Sequence, residues 1–109
     1  MLPLVQSGLP TLRRLCEQYH VDRLDLFGSA ATGSFDDASS DLDFVVQFGP
    51  DEACDLFDRF FGLQAELQSL FGRDIDLVTD RSIRNPYFRQ VVDRTRLNLY
   101  DARPAPVSA

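Results

Sequence analysis

The stretch "LFGSAATGSFDDASSDLDFVVQF", residues 26–48, decides how the chain is read. An apolar run ends at Gly28-Ser29, a small polar loop follows, and Asp41-Leu42-Asp43 opens a second apolar run, Phe44-Val45-Val46. Side chains on either side of one intervening residue share a face of a strand. Asp41 and Asp43 therefore point the same way, with Val45 after them, while Leu42, Phe44 and Val46 turn to the other face. Two carboxylates on one face repel, and one has its pKa pushed up unless a cation lies between them. A divalent ion removes that cost, and Mg²⁺ prefers hard oxygen ligands. Asp-x-Asp at a strand start is thus a reasonable metal clamp, although two such residues at a strand edge are often only solvated.

A second pair occurs in "RDIDLVT", residues 73–79. Asp74 and Asp76 again share a face. Asp74 reads as a surface acid. Asp76 lies deeper in its apolar run, between Ile75 and Leu77, where solvation explains a charge less well. If the two strands are neighbours, Asp76 joins Asp41 and Asp43. Gly28 lets backbone come close to a ligand. The Ser29 hydroxyl and adjacent N–H groups can hold phosphate oxygens. Gly-Ser alone means little; placed one loop before Asp-x-Asp, it supplies the other half of a phosphate site.

The rest of the chain supports an α/β domain. Residues 10–19 place Leu12, Leu15, Cys16 and Tyr19 on one helical face. Residues 21–27 and 42–48 alternate as strands, and 30–40 reads as turn and loop, beginning as a short helix. Residues 53–71 carry Leu56, Phe60, Leu63, Leu67 and Leu70 as one stripe. Phe57 and Phe61 form a second row that either widens the core face, the commoner outcome, or offers a partner surface, including one for a homodimer. Gly72 caps this helix. Residues 74–79 form a third strand, Asn85-Pro86 starts a helix, and 97–101 form a last strand. The order is αβ(α)βαβαβ, with helices covering a small sheet. Residues 1–101 read as one domain and 102–109 as a frayed tail.

Bulk properties narrow the function. A chain of 109 residues suits one compact domain with a core. Hydrophobic content of 44%, with nine Phe, favours folding over disorder. No apolar stretch reaches about 18 residues, so no transmembrane helix is expected. The N-terminus lacks a signal-peptide pattern, and a cytoplasmic location is the default. Every positive residue is Arg; none is Lys. Residues 1–80 carry five Arg and fifteen acids, a balance of −10, whereas 81–109 carry six Arg and two acids, +4. The acidic body argues against broad contact with a nucleic-acid backbone. The basic end fits a local anion site, an acidic partner or simply a solvated helix. Cys16 and Cys54 read as buried reduced thiols. With His20 the only histidine, zinc has too few ligands. A Cys16–His20 nucleophile pair is spaced for contact but nothing else supports it.

Taken together, "LFGSAATG…SSDLDFVV…RDIDLVT" resembles the minimal nucleotidyltransferases (MNT) of the DNA polymerase β-like superfamily. Their hallmark is Gly-Ser, a short loop, Asp-x-Asp, and a third Asp on a later strand. Gly28, Ser29, Asp41, Asp43 and Asp76 match it one by one. "NPYFRQVVDRTRLNLYD", residues 85–101, is similar to the end of stand-alone MNT domains, so the resemblance spans 20–101. Eleven residues separate Ser29 from Asp41, a length that loops tolerate. Ala30, Ala31 and Thr32 stand where the family often has an Arg, so an Arg from 81–96 or from a partner would have to substitute.

The resemblance implies a nucleotidyltransferase fold: a small mixed sheet covered by helices. It implies ATP as substrate and two Mg²⁺ ions. Asp41 and Asp43 would hold both ions, and Asp76 would ligate the acceptor-side ion and help deprotonate the attacking hydroxyl. Gly28 and Ser29 would grip the β and γ phosphates. It also implies a partner, an HEPN ribonuclease toxin, to whose tyrosine AMP is transferred, with this chain as antitoxin. A rival is a catalytically weak or inactive antitoxin that blocks the toxin by binding. A third reading is a nucleotide-binding regulatory module.

Overall fold

The computed structural model describes residues 3–32, 41–50 and 55–102. Period-two alternation produces β1 (Val21–Phe27) and β2 (Leu42–Phe48). A long helix, α1 (Pro3–Gln18), precedes them, and a single turn, α2 (Ser29–Thr32), follows β1. Next come α3 (Leu56–Phe71), β3 (Ile75–Thr79), a 3₁₀ turn (Asp80–Ser82), α4 (Pro86–Thr95) and β4 (Leu97–Asp101). The strands form one sheet in the order β3-β2-β1-β4. β1 runs antiparallel to β2 and β4, while β2 and β3 are parallel. A parallel pair needs a crossover, which α3 supplies. Because β3 and β4 lie on opposite edges, α4 must cross the sheet to join them.

Local chemistry sets the helix ends. Asp55 caps α3 by accepting from Phe57 N at 3.1 Å, and Gly72, at φ +64°, closes it with an N–H to Gln68 O at 2.8 Å. Asn85 accepts from Tyr87 N at 2.9 Å and Phe88 N at 3.3 Å, and Pro86 occupies the first helical position, where no N–H is needed. Residues 53 and 54 of the expected helix lie outside the described residues, as do 33–40 of the loop and 103–109 of the expected tail. Ala102 is tied to the body through its N–H to Asp22 O at 2.8 Å.

Two expectations change. The first helix starts at Pro3, and Pro10 sits inside it. Proline there removes one helical hydrogen bond. The buried stripe Val5, Gly8, Leu12, Leu15 and Cys16 runs through it regardless, so burial outweighs the defect. Gly8 permits close packing on α3, since a Cβ there would lie 2.8 Å from Phe71 Cε1. On α3, Phe57 and Phe61 face solvent, at 65% and 50% exposure, and Leu56 joins them at 52%. The buried line is Arg59, Leu63, Leu67 and Phe71. Two positions from Arg59 is about 200° round the helix, which turns Phe57 and Phe61 outward. Arg59 enters the interior because Nη1 donates to Gly49 O at 2.8 Å and its Cζ sits 5.0 Å above the Phe48 ring centre.

The two faces of the sheet differ. Leu24, Leu26, Leu42, Phe44, Val46, Ile75 and Leu77 pack with α1 and α3 in the larger core. On the other face, among the described residues, Phe27, Val45, Ile83 and Val92, with Val78 beside them, form a thin second cluster under α4. Next to it Asp25 is completely buried. It accepts from Arg23 Nε at 3.0 Å, Arg96 Nε at 2.6 Å and Asn98 Nδ2 at 2.8 Å. Removing one partner of a buried ion pair leaves the others uncompensated. Asp25→Asn should therefore destabilise the fold by about 3 kcal/mol, read as a lower urea midpoint at neutral pH. No described helix is long and apolar enough to cross a membrane.

Candidate active site

At the end of β1 the backbone turns through Gly28, at φ +73°. The preceding residue, Phe27, pairs with Asp43 across the antiparallel ladder. That register brings the bend against the acid: a Cβ on Gly28 would lie 2.7 Å from Asp43 Oδ2. Both the positive φ and the close approach demand glycine. The Gly28 carbonyl accepts from Ala31 N at 3.1 Å and Thr32 N at 3.2 Å, which starts α2. Its N–H donates to Thr95 Oγ1 at 3.0 Å. Ser29, the first residue of α2, is half-buried beside it.

The parallel ladder adds the second acid. Asp43 pairs with Asp76, flanked by Leu42 with Ile75 and Phe44 with Leu77. Those four apolar neighbours all sit in the larger core, so Asp43 and Asp76 share the thinly covered face with Val45 and Val78. Burial, then the charges of Asp76 and Asp41, push the Asp43 carboxyl up to about 6. The three carboxylates are thus near enough to act on one another. Among the described residues, however, no three His, Cys, Asp or Glu side chains form a ready metal-binding group. Asp76 is exposed, as are Asp41 and Asp74. The expectation that Asp76 is shielded from solvent is corrected. What sets it apart from Asp74 is its register with Asp43.

The helical turn after the bend supplies no arginine. α2 carries Ala30, Ala31 and Thr32. Of the arginines in 81–96, Arg89 binds Asp80 at 2.8 Å, and Arg96 binds Asp25 and also Asp93 at 3.1 Å. Both are engaged there, whereas Arg81, Arg84 and Arg94 of the same segment are exposed. Burial works against the Asp80 carboxylate, but hydrogen bonds from Arg89 and Gln47, with the charges of Arg89 and Arg96, outweigh it and hold its pKa below the ordinary value. Cys16 is buried, and desolvation together with Glu17 pushes its thiol up to about 12. A thiol that remains protonated is no nucleophile, so the Cys16–His20 pair is set aside. Cys54 lies outside the described residues.

The Nucleotidyltransferase domain family matches residues 11–98. The chain belongs to that family. A Methanocaldococcus jannaschii protein whose provisional name is protein adenylyltransferase MJ1379 is 33% identical over 79 residues, covering 72% of this chain and 77% of that protein. A solved structure provisionally described as a minimal nucleotidyltransferase superposes with a TM-score of 0.68 at 30% identity, over 85% of this chain and 90% of the other. A chain from the complex of a tri-AMPylated Shewanella oneidensis HEPN toxin with an MNT antitoxin superposes with a TM-score of 0.62 at 22% identity, over 89% and 72%. The α/β fold is that of the minimal nucleotidyltransferases.

Asp43 ties stability to pH. Its folded pKa lies above the ordinary 3.8, so the folded state binds the extra proton between about 4 and 6. Stability from this group is present below that window and is lost as pH rises through it. Asp43→Asn should raise the stability of the metal-free protein at pH 7.5, by on the order of 1 kcal/mol once solvent screening at this half-exposed site is included. It should also flatten the decline between pH 4 and 6, measured by urea unfolding across that range.

Proposed function

We propose that this chain is a Mg²⁺-dependent adenylyltransferase that moves AMP from ATP to a tyrosine hydroxyl of an HEPN-type ribonuclease toxin, and so acts as its antitoxin. One observation carries the reading: the Gly28 bend touches Asp43, while Asp76 stands beside Asp43 in register. A turn suited to phosphate and carboxylates suited to a divalent ion thus meet at one place. The name of the M. jannaschii relative and the AMPylated toxin bound to an MNT antitoxin support the choice of chemistry and partner.

The donor chemistry fits Mg²⁺. The groups are hard carboxylate oxygens, and the raised Asp43 pKa marks a place where added negative charge is resisted and a cation relieves it. Asp41 and Asp43 would hold two ions, with Asp76 on the acceptor side. Held there, the two ions would supply positive charge to the attacking and leaving oxygens. The Ser29 hydroxyl and the backbone beside Gly28 hold the β and γ phosphates. The tyrosine oxygen forms a bond to the α-phosphorus as the bond from that phosphorus to the β-phosphate oxygen breaks. Pyrophosphate leaves with the electron pair, and Asp76 takes the hydroxyl proton. The acidic body disfavours a nucleic-acid acceptor. ATP as donor and a ribonuclease as target place the reaction in the cytoplasm.

A second reading is a catalytically weak antitoxin that neutralises by binding. It is favoured by the absence of arginine from α2 and by the exposed Leu56, Phe57 and Phe61, which offer a face to the toxin or to a second copy. Incubating the chain with an HEPN-type toxin, Mg²⁺ and ATP labelled on the α-phosphate separates the two. Transfer predicts label on the toxin, reduced at least a hundredfold by Asp41→Asn and by Asp76→Asn and abolished by chelator. Toxin that stays unlabelled yet is neutralised by both variants would establish the binder.

A further inference from the structure

Thr95 closes α4, and the motif reading gives it no role of its own. Its hydroxyl lies between two backbone groups. Gly28 N donates to Thr95 Oγ1 at 3.0 Å, and Thr95 Oγ1 lies 2.7 Å from Val91 O. The proton assignment is forced. An amide can only donate, so the hydroxyl accepts from Gly28 and gives its own proton to Val91 O.

We infer that Thr95 is a positioning residue for nucleotide transfer: its hydroxyl fixes the Gly28 bend against Asp43. The inference rests on the adenylyltransferase reading above. Both backbone groups of Gly28 are then tied, its N–H to α4 and its C=O to α2. The anchor is itself held. Arg96, the next residue, donates its N–H to Val92 O at 2.8 Å, and its Nε reaches the fully buried Asp25 at 2.6 Å. The last turn of α4 therefore cannot drift along the sheet without breaking a buried ion pair, and Thr95 transmits that rigidity to the loop. Helical Thr often bonds only its own i−4 carbonyl. Here the same oxygen also accepts a bond from a residue 67 positions away, beside the site. With the Gly28 N–H occupied, this bend presents to a phosphate the Ser29 hydroxyl and the backbone beyond Gly28. Among the described residues that hydroxyl has no partner.

The test compares Thr95→Val, which keeps the shape and removes the acceptor, with Thr95→Ser, which keeps the hydroxyl. Leu99→Ala, in the core under β4, serves as a control for destabilisation alone. Transfer from α-labelled ATP to the toxin should fall at least tenfold in kcat/KM for Thr95→Val. Thr95→Ser should stay within threefold of the parent, and Leu99→Ala should transfer normally at a temperature where it is folded. In parallel, hydrogen exchange at the Gly28 amide, followed by NMR, should accelerate at least tenfold in Thr95→Val and return in Thr95→Ser. Parent-like transfer by Thr95→Val, or failure of serine to rescue, overturns the inference. If the parent protein itself transfers nothing, the adenylyltransferase reading fails and the exchange measurement decides alone. Unchanged Gly28 exchange then overturns the role of Thr95, and accelerated exchange reversed by serine upholds it as the anchor of the bend.

Discussion

The parallel register between β2 and β3 governs the site. It pairs Asp43 with Asp76 because it must also pair Leu42 with Ile75 and Phe44 with Leu77. A slip of one residue would turn Leu42, Phe44 and Val46 to the open face. Losing the burial of each costs about 1.5–3 kcal/mol. Separating the carboxylates would recover only on the order of 1 kcal/mol at a half-exposed position. Packing wins by a wide margin, and the acids stay together although they repel. The core thus maintains an electrostatic conflict at its edge that a bound cation can resolve.

Why that edge remains open follows from topology. Both α1 and α3 lie on one face, so the larger core forms there. Among the described residues the other face is covered by α4 on its way across the sheet and by Ile83 before it, with Val92 as the buried residue of that helix. A polar network around Asp25, Arg96 and Asp80 takes the place of further apolar cover. Buried ion pairs add little net stability compared with apolar packing, but they are intolerant of displacement. Here that intolerance fixes where α4 ends, and the end of α4 meets the Gly28 bend.

The sequence made much of this legible. Alternation located β1 and β2, the Asn85-Pro86 and Gly72 signals located helix ends, and strand alternation put Asp43 and Val45 on one face. Other features depended on contacts that no local pattern reports. The first helix was read only from residue 10 onward, yet burial on either side of Pro10 carries α1 through it. The α3 stripe held at Leu63 and Leu67, with Phe60 and Leu70 packed beside them, but Leu56 is exposed and Arg59 takes a buried place that no apolar pattern signals; of the two outcomes open to Phe57 and Phe61, the exposed one is found. Asp76 looked shielded by its neighbours in sequence, but strand neighbours face the opposite side. Its significance comes from register, which needs the strand order. Thr95 lay inside the 85–101 segment without a role of its own, because its partner is brought to it only by the crossing of α4.

Charge decides what an incoming nucleotide meets. A triphosphate approaching Gly28 and Ser29 encounters Asp43 at the bend, with Asp41 and Asp76 nearby, and α2 offers no cation. Arg89 and Arg96 hold the scaffold instead, bound to Asp80 and Asp25. Anion and acids at such short range repel strongly in a partly desolvated site. On the adenylyltransferase reading, neutralising that repulsion would fall on bound metal or an exposed arginine of 81–96, or on a cation that the acceptor brings with it. The last route would make nucleotide binding depend on the presence of the partner, and would keep the isolated chain from using ATP before its target arrives.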